Sequence, residues 1–330
     1  MSQPHPSSAW LESPLQLLGA LEAFAAGLLG ERAVLSPRRD TPGIAAATGA
    51  ARALHLPPGL TVADPTEELP ALTDRRAVWA AGDVLSGRVQ SALLRPLRAE
   101  RLVLLDDGLA TLRALEQLAA PRPTALVRPR GRVGPHRRVL GLATRARLRG
   151  LARQGRLDVF TVLPVPAATL DGLASAGVRV VRNDFRWLAG QHTSTRIGTR
   201  TAVVGSALPA DGLVRPDAYV RWLEHLAEHE PLTYLPHRRT DAGVLSRIET
   251  HPGIRVERGL LPVEARLLHL RPEQRVLSLP STALATLRVL LARTGTEVRG
   301  VPVPVSWWTD AASADLRAHL STVLTEEDRA

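Results

Sequence analysis

Short apolar runs alternate with stretches of helical period along most of the chain. Strands are expected at residues 32–36, 61–64, 77–80, 102–105, 124–128, 158–163 and 178–182, with helices at 15–29, 85–98, 109–119 and 142–153. Strands that are apolar throughout and separated by helices build parallel sheets through βαβ crossovers. Residues 186–200 (RWLAGQHTSTRIGTR) are polar and without period, which suits a linker. A second alternating set follows, with strands at 202–205, 232–235, 254–257, 275–278 and 297–301 and helices at 216–229, 242–250, 263–269 and 282–293. The pattern predicts an α/β chain of two doubly wound, Rossmann-like domains, 1–185 and 201–330, facing across a cleft.

Composition narrows the setting. At 330 residues with 45% hydrophobic content, the chain is long enough for two packed domains. No run approaches 18 uncharged apolar residues, so no transmembrane helix is expected. The opening residues Met1 to Ser8 lack a basic stretch followed by an apolar one and do not read as a signal peptide. Cysteine is absent, which excludes disulfides, thiolate metal sites and cysteine nucleophiles. The expected address is the cytoplasm, free or at the inner membrane face.

All 42 basic residues are arginine, and the formal charge is +10. Eleven of these arginines fall between residues 121 and 157, with no carboxylate before Asp158. Such a stretch attracts polyanions: nucleic acid, anionic lipid or an acidic glycan. A solvated loop and helix face is the plainer reading. Aromatics are 3% of the chain and do not interleave with the arginines, so nucleic acid is not expected as a partner.

In doubly wound folds ligands sit beyond the carboxyl ends of the strands, so polar residues there carry most information. Four such ends stand out. The strand at 102–105 stops in Asp106-Asp107-Gly108 before a helix. One aspartate is explained as a helix cap, but a cap does not explain two, and an adjacent pair raises one member's pKa toward that of a general base. The strand at 202–205 runs into Gly205-Ser206, where a glycine lets backbone approach a ligand. The strand at 232–235 ends in Pro236-His237-Arg238-Arg239, a surface turn or a phosphate site. The strand at 275–278 leads to Ser281-Thr282 ahead of a helix, an ordinary N-cap or an anion site.

Taken in order, these motifs resemble those of the bacterial sialyltransferases, most of all the capsular polysialyltransferases of GT-B fold. Glu12-Ser-Pro-Leu-Gln16 is similar to that family's N-terminal segment, and Gly82-Asp83 to its Gly-Asp element. Residues 204–212 and Tyr234-Leu-Pro-His-Arg-Arg239 resemble its loops in the second domain. The resemblance spans about residues 12 to 294 and implies an inverting transferase that uses a CMP-activated sialic acid or related nonulosonate. It implies a glycan acceptor, and no metal or other cofactor. Asp106 or Asp107 would deprotonate the acceptor hydroxyl, with Asp106 slightly preferred. His237, Ser281 and Thr282 would hold the departing phosphate, His237 as a cation. Glu264 would take the ribose hydroxyls, and Gly205, Ser206 and Pro236 would line the cytidine pocket. Gln16, Asp83, Arg137 and Arg138 would face the acceptor. Many bacterial sialyltransferases place proline after the histidine, an order found here at His251-Pro252; His237 is preferred because it ends a strand.

Two rival readings come from other classes. His225, Glu228 and His229 match the H-x-x-E-H pattern of one group of zinc peptidases, although a solvated helix face explains them as well. A non-catalytic polyanion-binding protein on a degenerate transferase fold is the other.

Overall fold

Ser7–Leu11 (β1) carries two serines beside three apolar residues, too weak a pattern to announce a strand, yet all five residues are buried. It is the starting strand of the first sheet, with Ser7 Oγ accepting the amide of Val78 on the neighbouring strand. The computed structural model describes residues 5–128, 133–193, 195–259 and 261–329. The chain divides into two compact units, Met1–Gln191 and His192–Ala330.

In the first unit β1 is followed by α1 (Pro14–Ala25), β2 (Ala33–Pro37), α2 (Ile44–Arg52), β3 (Leu60–Val62) and β4 (Val78–Ala81). Next come α3 (Gly87–Leu93), β5 (Arg101–Leu105), α4 (Leu109–Ala119), α5 (Pro135–Arg153) and β6 (Leu157–Thr161). Three more elements, α6 (Ala167–Ser175), β7 (Arg179–Arg182) and α7 (Arg186–Ala189), complete it. The sheet is wholly parallel in the order β3-β2-β1-β4-β5-β6-β7. Successive strand residues point to opposite faces. Trp79, Leu102 and Leu104 therefore join one core, while Ala80, Val103 and Leu105 join the other. Asp158, fully buried within β6, is held by Arg101 and Arg179 on the two flanking strands.

The strand expected at 124–128 does not form. Its backbone bonds to side chains instead: Gln90 Nε2 donates to the Leu126 carbonyl at 2.8 Å, and Gln117 takes both the amide and the carbonyl of Val127. Side-chain amides thus supply what a sheet ladder would. Helices α2 (IAAATGAAR) and α6 (AATLDGLAS) escaped the sequence reading because small residues give little polar contrast. Within the segment read as a linker, Trp187 and Leu188 on α7 donate their amides to Glu22 of α1.

The second unit runs β8 (Thr201–Val204), α8 (Pro216–His229), β9 (Leu232–Leu235), α9 (Ala242–Glu249), β10 (Ile254–Val256) and α10 (Val263–Arg266). It continues with β11 (Arg275–Ser278), α11 (Thr282–Leu291), β12 (Glu297–Gly300), α12 (Ala314–Leu320) and α13 (Glu326–Arg329). Its sheet is also parallel, in the order β10-β9-β8-β11-β12. Each sheet reverses direction of winding once, between β1 and β4 in the first unit and between β8 and β11 in the second. A crevice opens at such a switch point. Among the described residues, no helix is long and apolar enough to cross a membrane.

Candidate functional site

The switch point of the first unit gathers the motifs that sequence order kept apart. Ser13 caps α1 by accepting the amide of Gln16, which places the Gln16 side chain at the end of β1. Its Oε1 accepts the amide of Glu12 at 2.5 Å, so its Nε2 must face the other way, and it donates to Asp107 Oδ1 at 2.6 Å. Gly82 follows β4 directly and lies against the Gln16 side chain, where a β-carbon would collide with the carboxamide. Asp83 follows, buried, with one oxygen on the amide of Leu85 and the other on Arg128 at 2.6 Å. The same Arg128 nitrogen donates to Asp107 Oδ2 at 2.7 Å. Arg128 thus bridges the Gly-Asp and Asp-Asp-Gly elements, and sequence reasoning missed it because it was one arginine among eleven.

Beyond the Asp pair, Gly108 adopts φ 67° and ψ −154°, a conformation open to glycine alone, and turns the chain from β5 into α4. The two aspartates part company here. Asp106 is buried, and its Oδ2 accepts the amide of Val162 at 2.7 Å. Burial, with a small contribution from Asp107, pushes its carboxyl up to about 7 against the bonds from Thr161 and Val162. Asp107 lines a crevice with Asp83, Leu85, Leu104, Ala110 and Thr111, large enough for about one water. Burial and then Asp83 push Asp107 up to about 6, while Arg128 and Gln16 hold it down. Of the pair, the crevice is lined by Asp107, the aspartate that sequence reading ranked second.

The basic stretch is only partly a free surface. Arg130 and Arg132 lie outside the described residues. Arg137 donates to the Leu85 carbonyl at 3.1 Å, close to Asp83, and Arg138 is exposed. Arg145 is buried, with its guanidinium on the carbonyls of Gln117, Leu118 and Ala120 at the end of α4, and Arg149 adds a bond to Leu118. Arg156 serves the carbonyls of Leu97, Ala99 and Glu100. Arg145 and Arg149 thus satisfy the last carbonyls of α4, as cationic side chains do at helix ends. Among the described residues of the stretch, Arg122, Arg138 and Arg153 are the exposed arginines outside the Asp-Asp-Gly bridge.

In the second unit β9, β8 and β11 are adjacent and parallel, so Pro236-His237, Gly205-Ser206 and Ser281-Thr282 emerge side by side at the carboxyl end of the sheet. His251 lies just before β10, at the amino end of the sheet, with Nδ1 accepting the Gly253 amide. Gly205 serves packing: a β-carbon there would stand 2.5 Å from the His237 nitrogen and 2.8 Å from the Leu235 carbonyl oxygen. Ser206 is buried and caps Leu208 through its hydroxyl. His237 accepts the Arg239 amide at Nδ1, which puts its proton on Nε2. Burial, then Arg239 and Arg238, push His237 down to about 4, so it is neutral near pH 7 and not the expected cation. Arg239 is tied to Asp211 at 2.5 Å, which removes it from the expected set of phosphate donors. Ser281 stands at the N-cap of α11, yet its hydroxyl makes no cap bond and lies 3.2 Å from Ser278 Oγ. Thr282 is the first residue of that helix. Glu264 is buried, accepts the Thr286 hydroxyl at 2.8 Å, and has its carboxyl raised by burial. It faces the interior, where ribose recognition would require it to be uncovered.

His225, Glu228 and His229 do converge, on the exposed face of α8. An exposed helix face is not a peptidase cleft, and among the described residues no further ligand joins them.

No protein-family model matches the chain, and no curated protein matches it. Solved structures do. A UDP-glucosyltransferase from Polygonum tinctorium capable of glucosylating indoxyl, solved with 3,4-dichloroaniline, aligns at 12% identity over 99% of this chain and 84% of that one, with a TM-score of 0.51. Phytolacca americana UGT2, complexed with UDP-2fluoro-glucose and pterostilbene, aligns at 13% identity over 96% of this chain and 83% of that one, with a TM-score of 0.45. Identities this low speak to fold alone, and the fold is GT-B: two Rossmann-like units with parallel sheets.

Proposed function

We propose that the chain is an inverting, metal-independent glycosyltransferase. Its first unit supplies the base and its second unit binds an activated sugar nucleotide. The observation that carries this reading is Asp107: a carboxyl held at about 6, at a switch point, gripped through both oxygens by Gln16 and Arg128. A base with a pKa just below neutrality is ionised at working pH and still accepts a proton effectively. Asp107 takes the proton of the acceptor hydroxyl as its oxygen attacks the anomeric carbon. The bond to the nucleotide phosphate breaks on the opposite face, giving inversion.

The leaving phosphate gains charge as the bond breaks. The Nε2–H of neutral His237, the hydroxyls of Ser281 and Thr282, and the uncapped N-terminus of α11 are the groups assigned to it. These need no metal. The donor assigned is a CMP-linked sialic acid or related nonulosonate, on the strength of the Asp-Asp-Gly, Pro-His-Arg-Arg and Ser-Thr series. The acceptor is a glycan, anionic if the exposed arginines face it.

Donor hydrolysis across a panel of CMP- and UDP-sugars tests the assignment. Release of CMP that persists in EDTA is expected. Turnover confined to a UDP-sugar would overturn the donor while leaving the transferase reading, and turnover of none would overturn both. By calorimetry, His237→Ala and Ser281→Ala/Thr282→Ala are each expected to weaken CMP binding.

A further inference from the structure

Helix α8 buries Ala218, Tyr219, Val220, Leu223 and Ala227 on one face. Its other face carries His225, Glu228 and His229, all exposed, with one ligand atom from each within 4.8 Å of the others. The two imidazole centroids are 4.7 Å apart with planes at 77°. We propose that these three side chains form a site for one borderline-soft divalent ion of the zinc, nickel and copper class.

The tautomers are already set for it. His229 Nδ1 lies 2.8 Å from the backbone carbonyl oxygen of His225, which can only accept, so Nδ1 holds the proton and Nε2 offers its lone pair. His225 Nδ1 lies 3.3 Å from Glu228 Oε2, and an ionised carboxylate fixes the same tautomer. A metal-bound histidine is usually oriented in this way, with its second nitrogen donating to a carbonyl or carboxylate. Metal–nitrogen bonds of about 2.0–2.1 Å at a tetrahedral angle bring two ligands roughly 3.4 Å apart, inside the 4.8 Å that spans one ligand atom from each side chain here. His229 is the last residue of α8, where the negative end of the helix dipole favours a cation. Glu228 adds a full negative charge.

Topology separates this site from the proposed chemistry. Helix α8 leaves the carboxyl end of β8 and returns to the start of β9, so its last turn lies at the amino end of the sheet, opposite His237 and Ser281. Glu230, the next residue, bonds Thr201 and Arg275, the first residues of β8 and β11. A bound ion there stabilises the second unit and takes no part in sugar transfer.

Zinc chloride titrated into metal-stripped protein, by calorimetry in a non-chelating buffer, tests the site. One equivalent is expected to bind, at least tenfold more weakly in His229→Ala and with no specific heat in His225→Ala/His229→Ala. Glu228→Gln should weaken binding less than either histidine change. The unfolding midpoint of the parent should rise in excess zinc while that of the double variant does not, since a ligand stabilises only the state it binds. All three positions are exposed, and far-UV dichroism checks that each variant folds; His225→Gln/His229→Gln serves if the alanine pair does not. Equal zinc affinity in parent and double variant would overturn the site. Zinc-dependent peptide hydrolysis abolished by Glu228→Gln would overturn its separation from catalysis.

Discussion

Asp106→Asn isolates the cost of burying a carboxylate beside the candidate base. In the folded chain burial pushes the Asp106 carboxyl from 3.8 up to about 7. Below about pH 4 the group is protonated in both folded and unfolded chains, and its stabilising contribution is fully present. As pH rises, the unfolded chain ionises first, and stability is lost until the folded carboxyl ionises near 7. A gap of roughly three pKa units corresponds to ~4 kcal/mol, or about a thousandfold in the unfolding equilibrium. Asparagine keeps an acceptor for the Val162 amide and cannot ionise, so it escapes this loss. Hydrogen exchange read on the slowest amides of β5 and β6 is the suitable assay, because comparing parent and variant at one pH cancels intrinsic exchange. The variant-to-parent protection ratio should grow from pH 4 to pH 7 by up to a thousandfold and then level. A ratio that stays flat would show that the carboxyl is not raised.

Four further expectations follow from the geometry of the two units, each taken by itself. Turnover should rise with pH through about 6 as Asp107 ionises, and Asp107→Asn should lose at least about a hundredfold. Arg128→Met should move that midpoint to higher pH, because the guanidinium holds the carboxyl down; an unmoved midpoint in kcat/KM profiles would refute the bridge. Gly205→Ala should cost about 1–3 kcal/mol in thermal unfolding, since the new β-carbon meets backbone and cannot be relieved by a rotamer change. Arg122→Glu/Arg138→Glu should weaken binding of an anionic glycan at 0.1 M salt and matter far less at 1 M, as the Debye length falls from about 10 Å to 3 Å. Loss of liposome binding alone would assign that face to the membrane, and loss of neither would make it a solvated face.

How much of this was legible in the sequence depends on what kind of contact made it. Strands such as Leu232–Leu235 and helices such as Leu109–Ala119 and Pro216–His229 were read to the residue, because apolar period and turn residues mark them locally. The polar ends of β5, β8, β9 and β11 were legible for the same reason. β1 was not, since burial of Ser7 and Ser8 depends on neighbours that the chain supplies much later. The segment at 124–128 has a strand's composition, and only the placement of Gln90 and Gln117 decides that its backbone bonds elsewhere. The role of Arg128 and the neutrality of His237 are products of packing, which no residue type carries on its own.

The guanidinium groups that hold backbone carbonyls at the end of α4 and ahead of β5 have a further practical meaning. Arg145, Arg149 and Arg156 hold carbonyl oxygens, not carboxylates, so their attraction is between an ion and a neutral dipole at contact distance. Dissolved salt screens distant charges and leaves such contacts almost untouched. The most arginine-rich part of the first unit should therefore keep its shape at ionic strengths that strip polyanions from its exterior. A salt titration of ligand binding on this protein then reads its surface, with the framework beneath it unchanged.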